Sequence, residues 1–168
     1  MIQLEVNPED YFKMYTLNES LVLSFNYNTA DSMFEITYIY SYDSLMDILS
    51  KENNRKKNIS TFITLNFLQV SNFEREKGLF KLYSGAVDSY YAQDYKGSNV
   101  IQEIKLTKSS FDFHINIWLG YSLGGVRFSF NKMVEKKRVG ISRKNSNGEC
   151  DYYDSKTNEP FSFYSPFE

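Results

Sequence analysis

From Val100 to Ser155 the chain alternates apolar and polar residues in stretches covering 100–107, 110–119, 124–131, 135–143 and 149–155. A period of two puts successive side chains on opposite faces of a pleated strand. The links between these stretches are too short for a crossover helix, so neighbouring strands must pair antiparallel. Asn147-Gly148 supplies a residue pair suited to a tight hairpin turn between the last two. A third of the chain is thereby committed to antiparallel sheet, and such a sheet needs a second layer over its apolar face.

The first half is more mixed. Asn7-Pro8-Glu9-Asp10 offers a cap, proline at the first helical position and acids at the positive helix end, which predicts a short helix over residues 8 to 16. Leu21, Leu23, Phe25 and Tyr27 then alternate with Val22, Ser24 and Asn26. After a polar break at 28–32, Phe34, Ile36, Tyr38, Tyr40 and Tyr42 alternate with Glu35, Thr37, Ile39 and Ser41, giving a hairpin with a wide turn. Ser44 and Asp47 followed by Ile48 and Leu49 predict one or two helical turns, and residues 51–58, without an apolar side chain, a solvated loop. Residues 60 to 70 return to strand with apolar groups on both faces, which places that strand centrally. Leu79, Leu82, Tyr83, Ala86, Val87 and Tyr90 follow helical spacing up to Tyr91, with Gly85 weakening the stripe. The aromatic segment 160–167 is expected to pack on the body.

No repeat or linker divides the chain, and its 168 residues suffice for one core without metal or disulfide. A single domain over 1–168 is expected. Its class is α+β and β-rich, with about eight mostly antiparallel strands as a curled sheet, sandwich or barrel, and two or three short helices.

Charge and residue usage restrict function more than they reveal it. A net charge of −2 gives no global field for nucleic acid or an anionic membrane. One cysteine, Cys150, forms no internal disulfide, and no signal peptide or apolar span is visible, so a cytoplasmic protein is expected. The wealth of Phe, Tyr, Asn, Ile and Lys, residues with AT-rich codons, suits a microbial source. One histidine and one cysteine exclude the common zinc sites, the C-terminal acids Glu149, Asp151, Asp154 and Glu159 match no calcium loop, and no phosphate-binding glycine motif is present. No cofactor is expected. The basic runs Arg55-Lys56-Lys57 and Lys136-Lys137-Arg138 read as protection of edge strands against aggregation.

One motif suggests chemistry. Gly120-Tyr121-Ser122-Leu123-Gly124-Gly125 resembles the nucleophile elbow of α/β-hydrolase lipases and esterases over these six residues. The resemblance implies Ser122 as nucleophile and the amide of Leu123 as an oxyanion donor. The strand Phe111, Phe113, Ile115, Ile117, Leu119 leads into it, as in that family. Val126, Phe128 and Phe130 continue as strand where the family has a helix. The sole histidine, His114, precedes the serine by eight residues, on the order of 25 Å along a strand. The same glycines serve a hairpin loop, with Ser122 a turn residue and His114 on the polar face beside Asp112, Asn116 and Trp118.

Residues 1–50 hold eight acids against the single base Lys13, a local charge of −7. Gathered on one side, these acids would steer a basic protein partner; facing the basic second half, they would be neutralised internally. The favoured reading is a non-enzymatic binding or protein-interaction domain, inhibitor or immunity-type in one version. Its contact face would hold Asp31, Glu35, Asp43, Asp47, Tyr38, Tyr40, Tyr42 and Trp118. The alternatives are a serine hydrolase using Ser122 and a small-ligand pocket in the sheet.

Overall fold

The computed structural model describes residues 2–39, 59–77, 89–91, 100–147 and 150–160. The strands are β1 (Ile2–Val6), β2 (Leu21–Asn28), β3 (Met33–Ile39), β4 (Ile59–Leu68), β5 (Ser71–Lys77), β6 (Ser89–Tyr91), β7 (Glu103–Lys108), β8 (Phe113–Trp118), β9 (Gly124–Phe130), β10 (Lys132–Lys144) and β11 (Cys150–Asp154). They form two antiparallel sheets. One has the order β1-β10-β4-β3-β2-β6, with β11 also on β10, and the other the order β5-β9-β8-β7. The β-rich, two-layered class follows from the alternation and short links of the sequence.

Phenylalanines join the layers. Phe34 and Phe67 of the larger sheet meet Phe128 and Phe130 of the smaller, with ring centroids 4.9 Å apart for Phe34–Phe128 and for Phe67–Phe130. All four are buried. The sheets are also joined covalently at one corner, where β4 passes into β5 through Gln69-Val70 and β9 passes into β10 through Asn131. These two crossings lie side by side, because the Asn131 amide donates to Leu68 O (3.2 Å) and Asn131 Nδ2 to Gln69 Oε1 (2.8 Å). Gln69 adopts φ 56° to make the bend.

Helix α1 (Pro8–Met14) starts as its sequence requires, with Asn7 Oδ1 accepting from the Asp10 amide at 3.1 Å. Its Tyr11 is buried, and the Tyr11 and Tyr38 hydroxyls are hydrogen-bonded at 2.9 Å. A second helical element, α2 (Gly120–Leu123), is a single turn between β8 and β9.

Several expectations are corrected. A bulge between Val22 and Ser24 breaks the β2 alternation, so Val22 and Phe25 enter the main core while Leu21 and Leu23 join Ile39 and Phe62 on the opposite face. β10 is no edge strand: it pairs with β4 on one side and with β1 and β11 on the other. The charges of Lys136-Lys137-Arg138 therefore serve internal partners, described below. Ser89–Tyr91 is a strand paired with β2, not the end of a helix, since neighbouring backbone groups outweigh the helical spacing of its side chains. β1 and β5 were not foreseen. β4 is central, as its two apolar faces require. Tyr40, Tyr42, Asp43, Asp47, the helical turns expected near 44–49, the loop 51–58, the stripe from 79 to 88 and the segment 161–167 lie outside the described residues.

Candidate functional site

The glycine-rich segment links paired neighbours, because Trp118 of β8 stands opposite Gly125 of β9. Gly120 and Gly124 take φ 87° and 75°, the left-handed region where a side chain is strained. Gly125 is held by a close approach instead: a Cβ there would lie 2.9 Å from Trp118 Cε3 and 3.1 Å from Ile117 O. Each glycine thus has a structural reason. The turn ends with its carbonyls facing a cation, since Arg75 donates from one terminal nitrogen to Gly125 O (2.9 Å) and from the other to Leu123 O. An elbow needs the opposite polarity, with amides at a helix N-terminus aimed at the oxyanion and the helix following the serine. Here Ser122 lies within α2 and β9 follows directly.

His114 is committed elsewhere. It stands opposite Ser129 in the β8–β9 register, with Nδ1 2.6 Å from Ser129 Oγ. Trp118, next to α2, is four residues from His114 along β8, about 13 Å. The geometry brings the histidine to a serine that the sequence motif does not contain.

The acids of the first third are dispersed. Glu5 faces Lys132 at 3.8 Å and Glu9 faces Lys108 at 3.3 Å. Glu35 is half-buried, and Asn66 bridges it to the second half of the chain: with the carboxamide oriented to suit both neighbours, Nδ2 donates to Glu35 Oε2 (2.7 Å) and Oδ1 accepts from Lys136 Nζ (3.0 Å). Burial pushes the Glu35 carboxyl above its ordinary value, and Lys136 opposes that shift. Lys137 pairs with buried Glu135 at 3.0 Å, and Arg138 with Asp154 at 2.7 Å. Asp31 is exposed in the β2–β3 turn, where Asn28 Nδ2 donates to it at 2.6 Å. Tyr38 leaves the expected contact face altogether: it is fully buried, because the β3 alternation that aligns it with Phe34 and Ile36 points all three into the core.

Trp118 is half-buried on the outer face of the smaller sheet, a face that carries polar side chains in register. Register stacks it in rows across the strands: Glu74, Arg127, Asn116 and Lys105 form one, and Ser129, His114 and Thr107 the next. Arg127 Nε donates to Glu74 Oε2 at 2.8 Å, and Lys105 pairs with Glu103 at 3.0 Å. A shallow depression of about 360 Å³ lies over both rows, and a second of about 280 Å³ shares Glu74, Asn116 and Arg127 and extends to Gly125.

At the end of this face, β7 turns into β8 through Ser109–Asp112. The turn is locked by Ser109 N to Asp112 O (2.8 Å), Ser109 Oγ to Asp112 O (3.0 Å) and Asp112 N to Ser109 Oγ (3.1 Å). It presents Phe111 with 92% of its surface exposed. Sequence alternation had assigned Phe111 to the strand; the turn-forming residues Ser109, Ser110 and Asp112 around it were the signal to the contrary.

Among the described residues no group of three or more His, Cys, Asp or Glu side chains is placed to hold a metal ion. No protein-family model, curated protein or solved structure matches the chain, so its site rests on its own geometry.

Proposed function

We propose that the chain is a protein-interaction domain that grips its partner through the Phe111 turn and the adjoining outer face of the four-stranded sheet. The Phe111 turn carries the reading. An aromatic ring held in water forgoes about 1.5–3 kcal/mol of burial, and the three hydrogen bonds beneath it remove much of the ordering that binding would otherwise require. Aromatic anchors that fill a pocket on the partner dominate such interfaces. The polar rows behind the turn supply a polar rim.

A basic protein is the proposed partner class through Asp31, the described acid of the contact set that lies exposed. Three of the other acids are engaged within the fold, so the apolar anchor is given the larger share of the affinity.

The test is affinity capture from the source cell with wild type and Phe111→Ser in parallel, with circular dichroism to establish that the variant is folded. A partner held by wild type and lost from folded Phe111→Ser supports the proposal. Equal capture by both proteins rules the anchor out. Retention that weakens as salt is raised shows that charge contributes to the contact.

A further inference from the structure

We propose that Ser129 and His114 form a nucleophile–base pair that accepts a small acyl group from an activated ester, a reactivity independent of the interaction reading above. The pairing is fixed by register rather than by side-chain chance, since the two residues are directly opposed on adjacent strands in the middle of the smaller sheet. Their separation of 2.6 Å is a hydrogen bond that needs no movement for proton transfer. With the imidazole proton on Nε2, Ser129 Oγ–H donates to Nδ1, the arrangement a base requires.

The hydroxyl opens only onto the shallow depression over this face. Ser129 is 3% exposed and lines the depression of about 360 Å³ together with His114, Asn116 and Arg127. A shallow opening of that size fits a flat or small acyl donor and not a peptide in a deep cleft. Asn116 and Arg127 occupy the neighbouring row, two residues along each strand, and line the same depression, with the Arg127 guanidinium held by Glu74.

The step balances without a co-reactant other than water. Ser129 Oγ bonds to the acyl carbon while its proton passes to His114 Nδ1. The bond from acyl carbon to the leaving oxygen breaks, and that oxygen takes the proton from His114. Water then attacks the acyl-serine with the same nitrogen as base, returning the serine and a carboxylic acid.

The experiment treats the full chain with 4-nitrophenyl acetate and maps acetylation by peptide mass spectrometry. Acetyl-Ser129 is the expected product, absent from Ser129→Ala, retained in Ser122→Ala, and formed about a hundredfold more slowly in His114→Gln. His114 is exposed, so its variant folds even if Ser129→Ala does not, and circular dichroism checks both. Acetylation confined to lysines, acetylation at Ser122, or a rate unchanged in folded His114→Gln would each overturn the proposal.

Discussion

The ring of Trp118 lies across Gly125, its partner on the adjacent strand, so closely that a methyl group on Gly125 would sit 2.9 Å from Cε3. The last glycine of the Gly120–Gly125 string is therefore fixed by an aromatic neighbour.

Gly125→Ala must displace either that ring or the Ile117 carbonyl, and a destabilisation of about 1–3 kcal/mol is expected. Trp118 is the only tryptophan. Its emission therefore reports the displacement directly in the same denaturation experiment that measures the loss. An unchanged spectrum and midpoint would mean that the ring does not pack there.

Tyr11 and Tyr38 couple α1 to the larger sheet through hydroxyls 2.9 Å apart. In a double-mutant cycle of Tyr11→Phe and Tyr38→Phe, the double variant should lose less stability than the two single losses added, by about 0.5–1.5 kcal/mol. Strict additivity in urea denaturation would show that the two hydroxyls act independently.

Burial holds the Glu35 carboxyl above its ordinary value of 4.5, against the pull of Lys136. A carboxyl raised in the folded state takes up a proton on folding, so its charged form weakens the fold at neutral pH and the penalty fades as pH falls towards 4.5. Glu35→Gln should be at least as stable as wild type at pH 7, and wild type should gain on it as the solution is acidified. Parallel stability curves for the two proteins from neutrality down to pH 4.5 would contradict this.

Asp154 behaves in the opposite sense. The Thr157 amide, the Arg138 guanidinium and the Lys156 amide, in that order of effect, lower its carboxyl from 3.8 to about 2. The stability it contributes is full above pH 3.8 and is lost as pH falls through about 2. Asp154→Asn is expected to cost about 1–2 kcal/mol at pH 7, and the gap from wild type should close in strong acid. A gap that persists there would place the effect in packing instead of charge.

The legible parts of the fold were those with an uninterrupted local period. β7 to β11 and α1 announce themselves through alternation or capping, and the two apolar faces of β4 placed it inside a sheet. What was hidden depended on non-local pairing. β5 reads as Ser-Asn-Phe-Glu-Arg-Glu-Lys, charged enough to pass for a loop, and becomes a strand because β9 lies beside it. β1 is likewise a strand through its pairing with β10. The bulge at β2 inverts the facing of Leu23 without any mark in the residues themselves. Among site residues, the glycine turn was identifiable because the strand pattern resumes at Val126. The His114–Ser129 contact was not, since it is a matter of register, and fifteen positions separate the two.

β10 has a consequence for how the chain is made. It supplies the partner for β1 and for β4, so neither can complete its pairing until residues 132–141 have left the ribosome. Between the synthesis of β4 and that of β10 the hydrogen-bonding edge of β4 has no mate in its own polypeptide and is open to the same edge on a neighbouring nascent chain. Crowded synthesis therefore favours tangled oligomers over the correctly paired fold, and slowing initiation should raise the recovered yield more than slowing growth after the chain is released.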